Sequence, residues 1–310
     1  IGKKDFIRIK ENSSKLFSFS KQIKILRYLS WDKSVRTTFL NSKSQTIPKI
    51  EYPKFDSGEL RANLKKLKFL NGDTPYDKWL EEKTNDILSS IDLLQSSGTK
   101  QFFKKSEQIY GSPNFVLRDG KTSTLQLAKN FEDLIDSHLE HFSESLQVDP
   151  IPVSNVKKKI EERVQPIFGS KSPKIIIEDQ LSARATASSK RIRLRRGASF
   201  TNKDVDQLIN HEAFIHVATT LNGRQQTNVK ILGAKTGSIT KTQEGLAVFS
   251  EFITGCIDVN RMYRVSDRVI AIQMAIDGAD FIEVYRFFLK RDGKTRTQAF
   301  EDARRVFRGG

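Results

Sequence analysis

The chain has 310 residues, 37% of them hydrophobic and 29% charged, and carries a formal net charge of +16. That length supports a sizeable core in one or two domains, and no apolar run reaches the roughly 20 residues of a membrane-spanning helix. Cys256 is the only cysteine, which excludes an internal disulfide and fits a reducing compartment, so a cytoplasmic location is expected.

The first half reads as helical. Apolar residues recur at helical spacing through "SKQIKILRYLSWDKSVRTTFL", from about 19 to 39, which predicts one helix there. "IPKIEYPKF" (47–55) carries two prolines and reads as an extended linker. "TPYDKWLEEKTNDILSSIDLLQSSG" opens on Thr-Pro and closes at Gly98, with Trp79, Ile87, Ile91 and Leu94 forming one apolar stripe. Residues 122–146 give a further amphipathic helix, and "VDPIPV" (148–153) breaks the pattern. A boundary is therefore expected near 150, with a helical N-terminal region at 1–150 and a second domain at 151–310.

The second half changes character. "KIIIED" (174–179) is short, β-branched and preceded by Pro173, hence a strand. "KRIRLRR" (190–196) alternates Ile192 and Leu194 with Arg191, Arg193 and Arg195, a half-exposed strand. A long helix is predicted after "GASF", capped by Thr201 or Asn202 and closing at Asn222-Gly223. A second follows over 242–257, with Thr242 as a possible cap, and further helices run to Arg305. The fold class expected is α+β and mostly helical.

The chemistry centres on "HEAFIH", residues 211–216. Residues five apart on a regular helix lie about 140° around the axis, against about 40° for residues four apart. His211 and His216 could share a metal ion only if the turn took in one extra residue, as a π-bulge does. Glu212 would then face the same site as a general base. The next helix, with "TQEGLAV", offers Glu244 as a third ligand, and Glu251 as a rival ligand or a partner of a ligand. On spacing alone, two packed core histidines explain the motif equally well. His138 and His141, with Glu140 and Glu144 nearby, read as a solvated acidic face.

"HEAFIH", "TLNG" and "TQEGLAV" together resemble the QEGLA-motif family. Its bacterial members are labelled flavohaemoglobin expression-modulating proteins, and its animal relatives are the microtubule-associated tyrosine carboxypeptidases, which remove the C-terminal tyrosine of α-tubulin. "SIDLLQSSGT", "YGSPN", "LSARATASSKRIRLRRGASF" and "ARRVFRGG" are similar as well, so the likeness spans roughly residues 80–310. The resemblance implies a zinc-metallopeptidase-like domain with a small sheet. One zinc ion would be held by His211, His216 and Glu244, with Glu212 as catalytic base. Several relatives carry a small residue where this chain has Ala213 or Phe214. Bulky Phe214 is expected to affect the turn or the size of the substrate pocket.

Three protein ligands and one open position is the catalytic pattern for zinc, and an adjacent glutamate suits hydrolysis of a peptide bond. The function expected is a zinc carboxypeptidase acting on a peptide or protein C-terminal tail. The basic chain suits an acidic tail. Arginine grips a carboxylate with two prongs, which makes Arg184 and Arg193 the candidates for the substrate's terminus. The "KRIRLR" strand is read as an edge that could pair with extended substrate. Tyr263, with Arg264 and Tyr285, is a candidate oxyanion donor. Two alternatives stand beside this reading: a catalytically silent, zinc-binding regulatory protein, and a basic nucleic-acid-binding module. The phenylalanines lie mostly on apolar stripes instead of among basic residues, which disfavours the second.

Overall fold

The two-residue period of "RIRLR" folds as predicted. Ile192 and Leu194 are completely buried on one face of a strand, and the arginines lie on the other. In the computed structural model the residues described are 1–69, 72–137, 150–179, 181, 184–188, 190–291 and 294–308. The structure is α+β and mostly helical. Of the helix expected over 122–146, Thr124–Asp136 is helical, and residues 138–146, with His138, His141, Glu140 and Glu144, lie outside the described residues.

The chain divides into two units. The first comprises Ile1–Lys21, Leu67–Lys83 and Glu140–Val259, and the second Gln22–Lys66, Thr84–Leu139 and Asn260–Gly310. Each draws on chain from either side of residue 150.

The first unit holds a three-stranded sheet: β1 (Lys174–Glu178), β2 (Ala185–Ser188) and β3 (Arg191–Arg195). The strand order is β1-β3-β2. β3 runs parallel to β1, with Ile175 opposite Ile192, and antiparallel to β2, with Ala187 opposite Ile192. This corrects the expectation of an edge strand. The backbone of β3 is already paired on both sides, so it has no free edge for an extended substrate. The correction turns on β2, "ATAS", whose small residues give no apolar alternation by which to recognise a strand.

The helix Val153–Phe168 packs on this sheet through Val156, Ile160 and Val164, four residues apart and all fully buried. Val205, Leu208, Ile209 and Ala213 of the histidine-bearing helix join the same cluster. Burying each large apolar side chain stabilises the fold by about 1.5–3 kcal/mol, and this cluster fixes the histidine helix against sheet and neighbour. The predicted stop at Asn222-Gly223 is not a helix end, because the helix continues to Gln225. Gly223 has a different purpose: a Cβ there would meet the Leu232 carbonyl oxygen at 2.2 Å. Ser13, on the helix Lys3–Ser20, accepts the Ile231 N–H at 3.0 Å and ties that crossing segment down.

In the second unit an aromatic core gathers Trp31, Phe39, Phe281, Tyr285 and Phe300. Ala271, Ala299 and Ala303 let the helices that carry them come close. The single helix predicted over 19–39 is instead two, Ile25–Tyr28 and Lys33–Asn41. Asp32 ends the continuity by accepting the Ser34 N–H at 2.8 Å, a capping bond that starts a new helix.

Candidate metal centre

The histidine helix starts at a capping box. Thr201 Oγ1 accepts the Asp204 N–H at 3.2 Å, and the Asp204 carboxylate accepts the Thr201 N–H at 2.8 Å. An α-helical stretch, Asn202–Leu208, gives way to a π-helical stretch, Ile209–Val217, and α-helix resumes at Ala218. The Ala218 N–H donates to the Ala213 carbonyl, five residues back. This widened turn is what the five-residue spacing demands. It returns both rings to one side, their centroids 4.9 Å apart and their planes at 74°.

Glu244 arrives on the helix Gly237–Ile253. That helix begins five residues before the expected start, and Thr242 is an interior residue whose hydroxyl donates to the Ser238 carbonyl at 3.1 Å. Glu244 Oε1 lies 3.4 Å from His216 Nε2, and Glu244 Oε2 lies 3.7 Å from His211 Nε2. One ligand atom from each of the three residues falls within 4.8 Å of the others. A tetrahedral ion bound at about 2.0–2.2 Å separates its ligand atoms by roughly 3.3–3.6 Å. The donor types and spacing therefore fit, and the cluster could hold a metal ion.

The outer ring nitrogens are held as well. His211 Nδ1 is 2.6 Å from Glu251 Oε1, and His216 Nδ1 is 3.1 Å from Gln243 Oε1. Both partners are acceptors, so each Nδ1 carries a proton, and Nε2 of each ring is the atom directed at Glu244, able to act as a ligand once it holds no proton of its own. Glu251, fully buried, thus holds His211 from behind and lies outside the three-residue cluster. Gln243 went unassigned in the sequence, although it precedes Glu244 in the same motif.

Electrostatics agree with a site made for a cation. Burial works against charge on His211, but the carboxylates of Glu244, Glu251 and Glu212 outweigh it and push its pKa up to about 9. In the metal-free protein a proton thus stands where positive charge is wanted. Burial raises the pKa of Glu212, and Glu244 adds to this, while His211, His216 and Lys235 oppose it.

The remaining candidates fall elsewhere. Arg184 Nη1 and Nη2 grip the two oxygens of Asp204, at 3.1 and 2.7 Å, and the guanidinium lies 5.1 Å over the Phe200 ring. Arg193 is half-exposed on β3, 3.7 Å from Glu178. The Tyr263 hydroxyl donates to Asp136, and both residues belong to the second unit. Tyr285 is buried in that unit's aromatic core. The Phe214 ring packs 6.3 Å from Phe168, and both line a surface pocket of about 390 Å³ with Ile167 and Leu221. None of the three cluster residues lines that pocket.

Fold and site together define an α+β protein with a two-histidine, one-glutamate cluster on neighbouring helices. The chain belongs to the microtubule-associated tyrosine carboxypeptidase family, whose model matches residues 37–310. The QEGLA and HExxxH motifs pointed to these relatives. No curated protein and no solved structure matched the chain.

Proposed function

We propose that this protein is a zinc-dependent carboxypeptidase that removes one residue from the C-terminus of a peptide or protein tail. The observation that carries the reading is the convergence of His211 Nε2, His216 Nε2 and the Glu244 carboxylate, with both Nδ1 atoms held from behind. These three residues would hold one zinc ion per chain. When bound there, zinc supplies a Lewis acid and lowers the pKa of a water molecule.

The chain's own residues account for the rest. Glu251 and Gln243 keep both imidazoles in the tautomer whose Nε2 faces the site. Glu212, next to His211 and no member of the three-residue cluster, takes the proton of the attacking water and passes one to the leaving amine. Of the two arginines considered for the substrate's terminal carboxylate, Arg184 has both prongs filled by Asp204 and Arg193 pairs with Glu178 on the face of β3 opposite Ile192 and Leu194, so either would have to leave its carboxylate to take up that role. The Tyr263 hydroxyl is engaged with Asp136 within the second unit, so Tyr263 is given no part in the reaction. The net charge of +16 suits an acidic tail, and the family's name points to tyrosine as the residue released. No helix among the described residues is long and apolar enough to cross a membrane. The single, buried cysteine accords with a cytoplasmic setting.

The test is mass spectrometry on zinc-loaded protein with free-acid and amidated peptides ending in Tyr, Phe, Glu or Ala. Loss of one terminal residue from the free acids alone is expected. Glu212→Gln should keep its zinc and lose activity by about 10²–10⁴-fold. Equal internal cleavage of both peptide forms would rule out a carboxypeptidase. No cleavage of any peptide would shift the reading to a silent regulatory protein.

A further inference from the structure

The surface pocket of about 390 Å³ beside Phe214 belongs to the first unit, and His211, His216 and Glu244 take no part in it. Phe214, Ala218, Leu221 and Gln225 recur at three- and four-residue steps along the histidine helix, which makes them one stripe, and Asn222 joins it a turn beyond Ala218. The facing wall comes from the end of the helix Val153–Phe168. Gly169 takes a φ of +52° and ends that helix, a left-handed conformation that glycine adopts without strain. The short turn Gly169–Lys171 follows, and Ile167 and Phe168 from the helix and Lys171 from the turn all border the same pocket. The ring centroids of Phe168 and Phe214, one from each wall, are 6.3 Å apart.

The lining is apolar and sparing of charge. Ile167 is 62% exposed, and Phe168, Phe214 and Leu221 are half-buried. Single apolar side chains on a surface are ordinary, but four around one pocket leave an area that a hydrophobic ligand would remove from water. No acidic residue lines the pocket, and Lys171 is its one charged group. Among the described residues no hydrogen bond or ion pair engages the Lys171 ammonium. Asn222 and Gln225 add neutral amides. The volume lies toward the lower end of the range for ligand pockets, about 300–1,000 Å³, which suits one ring on a short chain.

We propose that this pocket binds a small aromatic carboxylate, with the ring against Ile167, Phe168, Phe214 and Leu221 and the carboxylate beside Lys171. The apolar walls select the ring, and a cation with no acidic neighbour in the lining selects the acid. The site is separate from the metal centre and stands whether or not the chain hydrolyses peptides.

Ligand-observed NMR on the full chain, with and without added zinc, tests this with three compounds. Phenylpropanoate is the probe, phenylpropanamide its uncharged counterpart, and acetate a carboxylate without a ring. Saturable binding of phenylpropanoate is expected, equal with and without zinc, with weaker binding of the amide and no displacement by acetate. Lys171→Gln should weaken phenylpropanoate by about two- to fivefold, the range of an exposed ion pair, and leave the amide unaffected. Ile167→Ser should weaken both by about fivefold or more. Both positions are exposed, so neither change threatens folding. Lys158→Gln, on an exposed helix face of the same unit, should leave binding unchanged. The proposal is overturned if phenylpropanoate fails to saturate, or if it binds only in the presence of zinc, which would seat it on the metal centre. It is overturned equally if acid and amide bind alike, or if Ile167→Ser binds as the parent does.

Discussion

Replacing Glu251 by Gln gives the sharpest test of how the metal centre is organised. The parent side chain is fully buried and sits 2.6 Å from His211 Nδ1. The Gln amide oxygen can occupy the same place and still accept that hydrogen bond, so shape and tautomer are preserved while the negative charge is lost. Partners of this kind typically contribute 10–100-fold to metal affinity, about 1.4–2.8 kcal/mol. The zinc affinity of the variant should therefore fall by about that factor without vanishing. Competition of the apo-protein against a chromophoric chelator measures this, and far-UV circular dichroism establishes that the variant is folded. Affinity within twofold of the parent would show that the Glu251 contact does not tune the ligand. Loss of zinc as complete as in a ligand deletion would show instead that Glu251 binds the ion directly, and the division into ligands and supporting partners would be wrong.

Three further outcomes follow from the same structure. His216→Ala should remove most of the zinc and lower the melting temperature of zinc-loaded protein, because binding free energy contributes to folding; full occupancy by elemental analysis would count against the ligand assignment. Gly223→Ala places a methyl group 2.2 Å from the Leu232 oxygen and should cost about 1–3 kcal/mol of stability or more by overpacking, so an unchanged denaturation midpoint would contradict the close approach. Burial works against the Asp77 carboxylate, but Arg8, the Thr74 hydroxyl and backbone N–H groups outweigh it and hold its pKa well below the usual carboxylate range. A depressed folded-state pKa stabilises the protein above the unfolded value of about 3.9. That contribution is lost as the pH falls below it. Asp77→Asn should accordingly be less stable than the parent at pH 7, with the gap closing below about pH 4; a gap independent of pH would refute the account.

Some features were settled by the order of residues alone. Two histidines five apart can face one ion only if the helix widens, so the π-helical turn at Ile209–Val217 was implied by a count of residues and an angle. The alternation in Arg191–Arg195 required a strand with a buried and an exposed face. The start of the histidine helix was marked as Thr201 or Asn202 because a cap is a local feature, and the capping box that Thr201 forms with Asp204 decides for Thr201. Tertiary structure decided what depends on contacts between distant segments. Glu251 meets His211 across 40 residues and Gln243 meets His216 across 27, and no local pattern encodes which ring nitrogen each will hold. Arg184 looked available for a substrate until the fold set Asp204 in its fork. The place of β3 at the centre of its sheet depended on "ATAS", a segment too small and too mixed to announce itself as a strand. Gly223 reads as a helix terminator in sequence, yet the passing backbone at Leu232 makes it a point of close approach. Spacing along a helix or strand is a local property. Partners, edges and close contacts arise only when separate segments pack, and these are what orient His211, His216 and Glu244 in the candidate metal centre.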